Sequence, residues 1–141
     1  MLCADTSFLF SLYRRDVHSE EARTRLVAAA QPLLLSLLNE FELANALRLA
    51  EYRGLLPAGG ALQRLEALAE DHTAGRWRHS DIPLEEIVAE AARLSAAHTL
   101  GGGHRAFDIL HVAHARLAKP RQFLSFDANQ LRLAKTVGLR C

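Results

Sequence analysis

Three short apolar runs, each closed by a polar residue suited to starting a helix, set the tightest limit on the fold. Met1–Ala4 gives way to Asp5-Thr6-Ser7, Leu33-Leu34-Leu35 to Ser36, and Gln122–Phe126 to Asp127. A continuous apolar run marks a strand covered on both faces, the situation of a parallel sheet between helical layers. Asp, Thr and Ser are strong N-cap residues, so each run predicts a strand that turns directly into a helix.

The segments between fit that frame. Phe8–Arg14 reads as a helix, and a second starts at Ser19 with Glu20 and Glu21 in its first turn and Ala22, Leu26 and Ala29 or Ala30 inward. Leu37–Arg53 is the strongest helical pattern; Gly54 closes it and Pro57 begins the next element. Leu62–His72, with Leu62, Leu65, Leu68 and Ala69 inside, is amphipathic, and Glu66, Glu70 and Asp71 read as its solvated face. Trp77–Ile82 predicts a short strand ending at Pro83, Glu85–His98 a helix, and Gly101-Gly102-Gly103 a flexible lead into the next helix. That glycine run lacks the Gly-Lys-Ser/Thr ending of a phosphate-binding loop. Arg105–Ala118 and Leu131–Val137 are the last helices, with Leu139–Cys141 as an edge strand beyond Gly138. The order β-α-α-β-α-α-β-α-α-β-α-β implies an α/β fold. Its centre is a parallel sheet of four to five strands, flanked by helices on both faces and joined by right-handed crossovers. At 141 residues and 50% hydrophobic content, one domain over 1–141 accounts for the whole chain.

Composition excludes more than it assigns. The net charge of +1 argues against both a disordered acidic chain and a strongly basic nucleic-acid binder. The distribution is uneven: residues 105–141 carry net +5, with Asp108 and Asp127 their only acids, against −4 over residues 1–104. A basic third around a small acidic centre suits an anionic partner. Two cysteines, Cys3 and Cys141, fit neither a zinc spacing nor a disulfide framework and point to a reducing cytoplasm. No apolar run is long enough to span a membrane, and the start lacks the pattern of a signal peptide.

Four acids stand where chemistry would be expected. Asp5 and Asp127 follow strands at helix starts, and Glu42 and Asp108 lie in the first turns of helices. Structural explanations exist for each: Asp5 as an N-cap, Glu42 in a capping box with Asn39, Asp127 in one with Gln130, and Asp108 as a carboxylate favoured by the helix dipole. In a parallel α/β sheet, however, all four positions belong to the carboxyl edge, where ligands bind. Four converging carboxylates repel unless a cation joins them, and hard oxygen donors select magnesium or manganese. His111 and His114 are one turn apart but have no further ligands at zinc spacing. Arg105, one turn before Asp108, is placed either to pair with that carboxylate or to hold an anionic partner.

These residues resemble those of the PIN-domain ribonucleases, and within them the small VapC-like toxins of toxin–antitoxin pairs. The resemblance covers essentially the whole chain. It is carried by Asp5-Thr6-Ser7, by Glu42-Leu43 with Ala46-Leu47, by Arg105 with Asp108-x-x-His111-x-Ala113, and by Leu124-Ser125-Phe126-Asp127 followed by Leu133-Ala134 and Gly138-Leu139. Residues 55–100 match only in helical pattern. The resemblance implies a single PIN-like domain and metal-dependent endoribonuclease activity, with Asp5, Glu42, Asp108 and Asp127 binding Mg2+ or Mn2+. It further implies supporting roles for Thr6, Ser7, Ser125 and Asn129, an RNA substrate, a cognate antitoxin and a homodimer. Arg105, Arg116 and Lys119 are the candidate contacts to RNA phosphates. Alternatives are a stand-alone PIN nuclease in RNA processing and a PIN-fold module that binds RNA or protein without cleaving. A phosphoryl-transfer domain is disfavoured because Asp5-x-Ser7 lacks a second acid.

Overall fold

The computed structural model describes residues 1–141 as four strands and seven helices. In chain order these are β1 (Leu2–Ala4), α1 (Thr6–Tyr13), α2 (Ser19–Ala29), β2 (Leu33–Leu35), α3 (Leu37–Tyr52) and α4 (Gly60–Thr73). They are followed by β3 (Trp77–His79), α5 (Leu84–Gly102), α6 (Ala106–Ala118), β4 (Gln122–Leu124) and α7 (Ala128–Thr136). The sheet order is β3-β2-β1-β4 and every pairing is parallel, with Cys3 opposite Leu34 on one side and Phe123 on the other.

The apolar runs are continuous because both faces of β1, β2 and β4 are covered. Leu2, Ala4, Leu33, Leu35 and Leu124 point into a core built with Phe8, Leu9, Leu43, Leu47 and Trp77. Their alternate neighbours Cys3, Leu34 and Phe123 point into a second core with Ile87, Leu94, Ile109, Val112 and Leu133. Helices α1–α4 thus cover one face and α5–α7 the other, as period-two alternation in a two-sided sheet requires. Because β1 is flanked by β2 on one side and β4 on the other, the chain order reverses between β1 and β4. In open α/β sheets the crevice beyond such a reversal, at the carboxyl ends of the strands, is the preferred ligand site.

Several boundaries differ from the sequence expectation. Leu139–Cys141 forms no strand. The Leu139 N–H is committed to the Ala134 carbonyl behind α7, which leaves a single bond from the Phe123 N–H to the Arg140 carbonyl. Helix α5 runs through Gly101 and Gly102 and stops at Gly103, which is left-handed at φ 64°. The glycines are therefore not a flexible lead: a Cβ on Gly102 would collide with the ring of His104, which packs against it. Helix α4 begins at Gly60 rather than near Pro57, and its Leu62 and Ala69 face outward. Asp71 is more than a solvated charge, since it accepts the Tyr13 hydroxyl at 2.8 Å and pairs with Arg76. Both cysteines are free, and no helix is long and apolar enough to cross a membrane.

Candidate active site

The strand-to-helix turns bring Asp5 and Asp127 to the sheet reversal, and α6 and α3 supply Asp108 and Glu42. Asp5 caps α1 by accepting the Phe8 N–H at 2.9 Å, and Asp127 caps α7 by accepting the Gln130 N–H at 2.9 Å. Asp108 lies in the first turn of α6. Glu42 is not part of a cap. The capping box of α3 is made by Ser36 and Asn39: the Ser36 hydroxyl accepts the Asn39 N–H, and Asn39 Oδ1 accepts the Ser36 N–H at 3.0 Å. The expected pairing of Asn39 with Glu42 is thereby replaced, and the Glu42 side chain is left to face the site. All four acids line one cavity of about 350 Å³, together with Thr6, Ser7, Arg105, His111 and Gln130.

Each carboxylate has its own fixing contacts. Asp5 is buried and accepts the hydroxyls of Ser7 at 2.8 Å and Ser125 at 2.7 Å. Burial pushes its carboxyl above the ordinary Asp range, against the opposing pull of the Phe8 N–H and the two hydroxyls. Burial acts on Glu42 in the same sense, but hydrogen bonds from His111 and Thr6 and the charge of Arg105 outweigh it and hold Glu42 below its usual value. Glu42 Oε2 receives both bonds, from His111 Nε2 at 2.6 Å and from the Thr6 hydroxyl. Arg105 spans the remaining pair, donating from Nε to Asp108 at 2.8 Å and from Nη2 to Asp127 at 3.1 Å. Those contacts stabilise its charged form, Asp108 contributing most.

The supporting residues divide. Thr6 touches Glu42. Ser7 links Asp5 to the Phe126 N–H at 3.0 Å, and Ser125 links Asp5 to the Asp127 N–H at 2.9 Å. Asn129 is not in the cavity. It donates to the Gly103 carbonyl at 3.2 Å and accepts from Arg132, tying α7 to the end of α5. Arg116 and Lys119 are also elsewhere, in the last turn and at the C-cap of α6, whereas Asp108 is in its first turn. Arg116 and Lys119 thus lie about 12 and 16 Å along the helix axis from Asp108. Arg116 pairs with the buried Glu90 of α5 at 2.7 Å.

From the sequence, Gln130 and Asn39 were expected only as capping residues and His111 only as a neighbour hydrogen-bonded or packed beside the acids. Gln130, almost fully buried, donates to the Asp108 carbonyl at 3.1 Å and accepts the Ser125 hydroxyl at 3.3 Å, joining α6, β4 and α7. Its signal was a polar residue on the stripe of Leu133, Ala134 and Val137. Asn39 is completely buried and donates both to the Ala4 carbonyl at 2.9 Å and toward His111 Nδ1 at 3.1 Å. His111, left without a role by its sequence context, is the direct partner of Glu42.

The donor set is chemically that of a hard divalent cation, all carboxylate oxygen. As the side chains stand, no three or more of the His, Cys, Asp and Glu residues are close enough to enclose an ion. The positive charge between Asp108 and Asp127 is instead the Arg105 guanidinium, whose side chain is 73% exposed. The donor set thus suits in its chemistry the divalent metal that the resemblance implies, with Asp108 and Asp127 paired to Arg105 in this structure.

The fold has counterparts among known proteins. The profile of the PIN domain family matches residues 2–136. Among solved structures, Mycobacterium tuberculosis VapC20, described as a sarcin-ricin loop cleaving toxin, superimposes with a TM-score of 0.66 at 21% identity. The match covers 99% of this chain and 96% of VapC20. No curated protein sequence matched the chain.

Proposed function

The chain belongs to the PIN domain family, and we propose that it is a Mg2+- or Mn2+-dependent endoribonuclease acting as the toxin of a toxin–antitoxin pair in the cytoplasm. The observation that carries this reading is the convergence of Asp5, Glu42, Asp108 and Asp127 on one cavity at the sheet reversal. The likeness to VapC20, a toxin that cleaves the sarcin-ricin loop, supports the substrate class.

A divalent ion held by these acids would supply charge neutralisation at a phosphodiester and a lowered pKa for attacking water. The chain's own residues do the rest. Ser7 and Ser125 fix both oxygens of Asp5, and Thr6 and His111 fix one oxygen of Glu42. Arg105, which spans Asp108 and Asp127 at the cavity, would serve as a donor for RNA phosphate if a divalent ion held those carboxylates instead. No serine or cysteine nucleophile is required. An antitoxin would inhibit by placing a basic side chain against the acids that Arg105 now spans. Exposed Leu37 and Phe41 on α3 and Leu84 and Val88 on α5 support a homodimer.

Purified protein incubated with single-stranded RNA tests the proposal. Cleavage is expected with Mg2+ or Mn2+, and none with chelator or in Asp5→Asn and Asp108→Asn. Chelator-resistant cleavage, or equal cleavage by all forms, would sink the metal-nuclease reading. Expression without an antitoxin tests the toxin reading separately; growth arrest is expected, and normal growth at good soluble yield contradicts it.

A further inference from the structure

The polar chain behind Glu42 has a fixed direction, and that direction can be read from its donors. Asn39 Oδ1 accepts the Ser36 backbone N–H at 3.0 Å and the Ser36 hydroxyl at 2.9 Å. Its amide nitrogen faces the Ala4 carbonyl at 2.9 Å. Turning the amide over would set NH2 against an N–H and oxygen against a carbonyl, so its orientation is determined at both ends. The second amide hydrogen then points at His111 Nδ1, 3.1 Å away, which must present a lone pair. The ring proton therefore resides on Nε2, 2.6 Å from Glu42 Oε2, and that N–H donates to the carboxylate. His111 is 2% exposed and Asn39 fully buried, so solvent cannot substitute for either partner. Glu42 Oε1 makes no hydrogen bond.

We propose that Asn39 and His111 are positioning residues: Asn39 locks His111 in the Nε2–H tautomer, and His111 pins Glu42 Oε2 so that Oε1 is presented to a divalent cation. The inference rests on the metal-nuclease reading and deepens it. Ser36 starts the chain, and β1 contributes through the Ala4 carbonyl one residue before Asp5. The backbone that carries Asp5 and the side chain that orients Glu42 are thus held by one buried amide. A neutral imidazole gives the carboxylate a strong donor without adding a positive charge that would compete with the cation. Outer-shell donors of this kind typically set metal affinity by about 10–100-fold.

Two measurements test it. Long-range 1H–15N spectra of the metal-free wild-type protein read the tautomer of His111 directly. Nitrogen shifts of an unprotonated Nδ1 and a protonated Nε2 are expected; the reverse tautomer or an imidazolium overturns the assignment. Calorimetric Mn2+ titration then compares wild type, His111→Gln and His111→Leu, with thermal unfolding as the check on folding. His111→Leu should bind Mn2+ about 10–100-fold more weakly, while His111→Gln, which keeps a donor toward Glu42, should recover most of the loss. Unchanged affinity in His111→Leu, or equal losses in both variants, overturns the positioning role while leaving the metal site intact. Failure of the wild type itself to bind Mn2+ removes the metal reading and this inference with it. The spectra decide the tautomer even if a variant does not fold.

Discussion

Acid should destabilise this fold through one buried histidine. His114 lies on α6, 1% exposed, with an Nε2 that has no hydrogen-bond partner. Burial lowers its pKa from 6.5 to about 4. A histidine depressed in this way contributes stability that is complete above pH 6.5 and is lost as pH falls through 4, because the unfolded chain takes the proton first. A full shift of that size corresponds to about 3 kcal/mol at 1.36 kcal/mol per unit. At pH 5, where the unfolded group is almost wholly protonated and the folded one is not, the loss is about 2 kcal/mol. With a urea slope of about 1–2 kcal/mol per molar, the unfolding midpoint should fall by about 1–2 M between pH 7.5 and pH 5 from this group alone. His114→Leu removes both the titration and the unpartnered nitrogen. Urea unfolding of both proteins at the two pH values isolates His114, since the other six histidines are common to them. The wild type should lose about 2 kcal/mol more than the variant. Parallel losses would refute the account of His114 as a buried neutral group.

Other perturbations address the site. Ser125→Ala removes a donor to the buried Asp5 and the acceptor of the Asp127 N–H; RNA cleavage should fall about 10–100-fold, with a stability loss of about 1–2 kcal/mol by denaturant titration. Arg105→Ala should change metal-free stability by less than about 1 kcal/mol, the guanidinium being mostly exposed. It should bind Mn2+ more tightly by calorimetry, because no internal cation competes for Asp108 and Asp127, and hold single-stranded RNA more weakly in a filter-binding assay. Ser36→Ala should cost about 1 kcal/mol of stability through the lost N-cap.

How far the sequence carried depended on whether a position was governed by local chemistry. Asp5 and Asp127 follow apolar strands and accept their own N3 amides, so spacing alone located them. The three-residue strands β1 and β2 were recognisable because both faces are buried and no polar residue interrupts them. Tertiary pairing was harder. Asn39 and Glu42 have the spacing of a capping box, but Ser36 is three residues closer to β2 and takes the cap, so Glu42 belongs to the site instead. Gln130 and His111 act through partners 22 and 69 residues away, which no local pattern encodes. Arg116 and Lys119 sit in the same basic third as Arg105, yet the length of α6 carries them to the other end of the helix. Charge composition reports how many cations a segment has, not at which end of a helix they lie.

Anomalous diffraction from crystals soaked in Mn2+ tests the central claim most directly. The account predicts a manganese peak in the cavity bounded by Asp5, Glu42 Oε1, Asp108 and Asp127, with Arg105 withdrawn from Asp108 and Asp127. A cavity without a peak, its Arg105 pairs unchanged, in crystals that take up manganese elsewhere would contradict it.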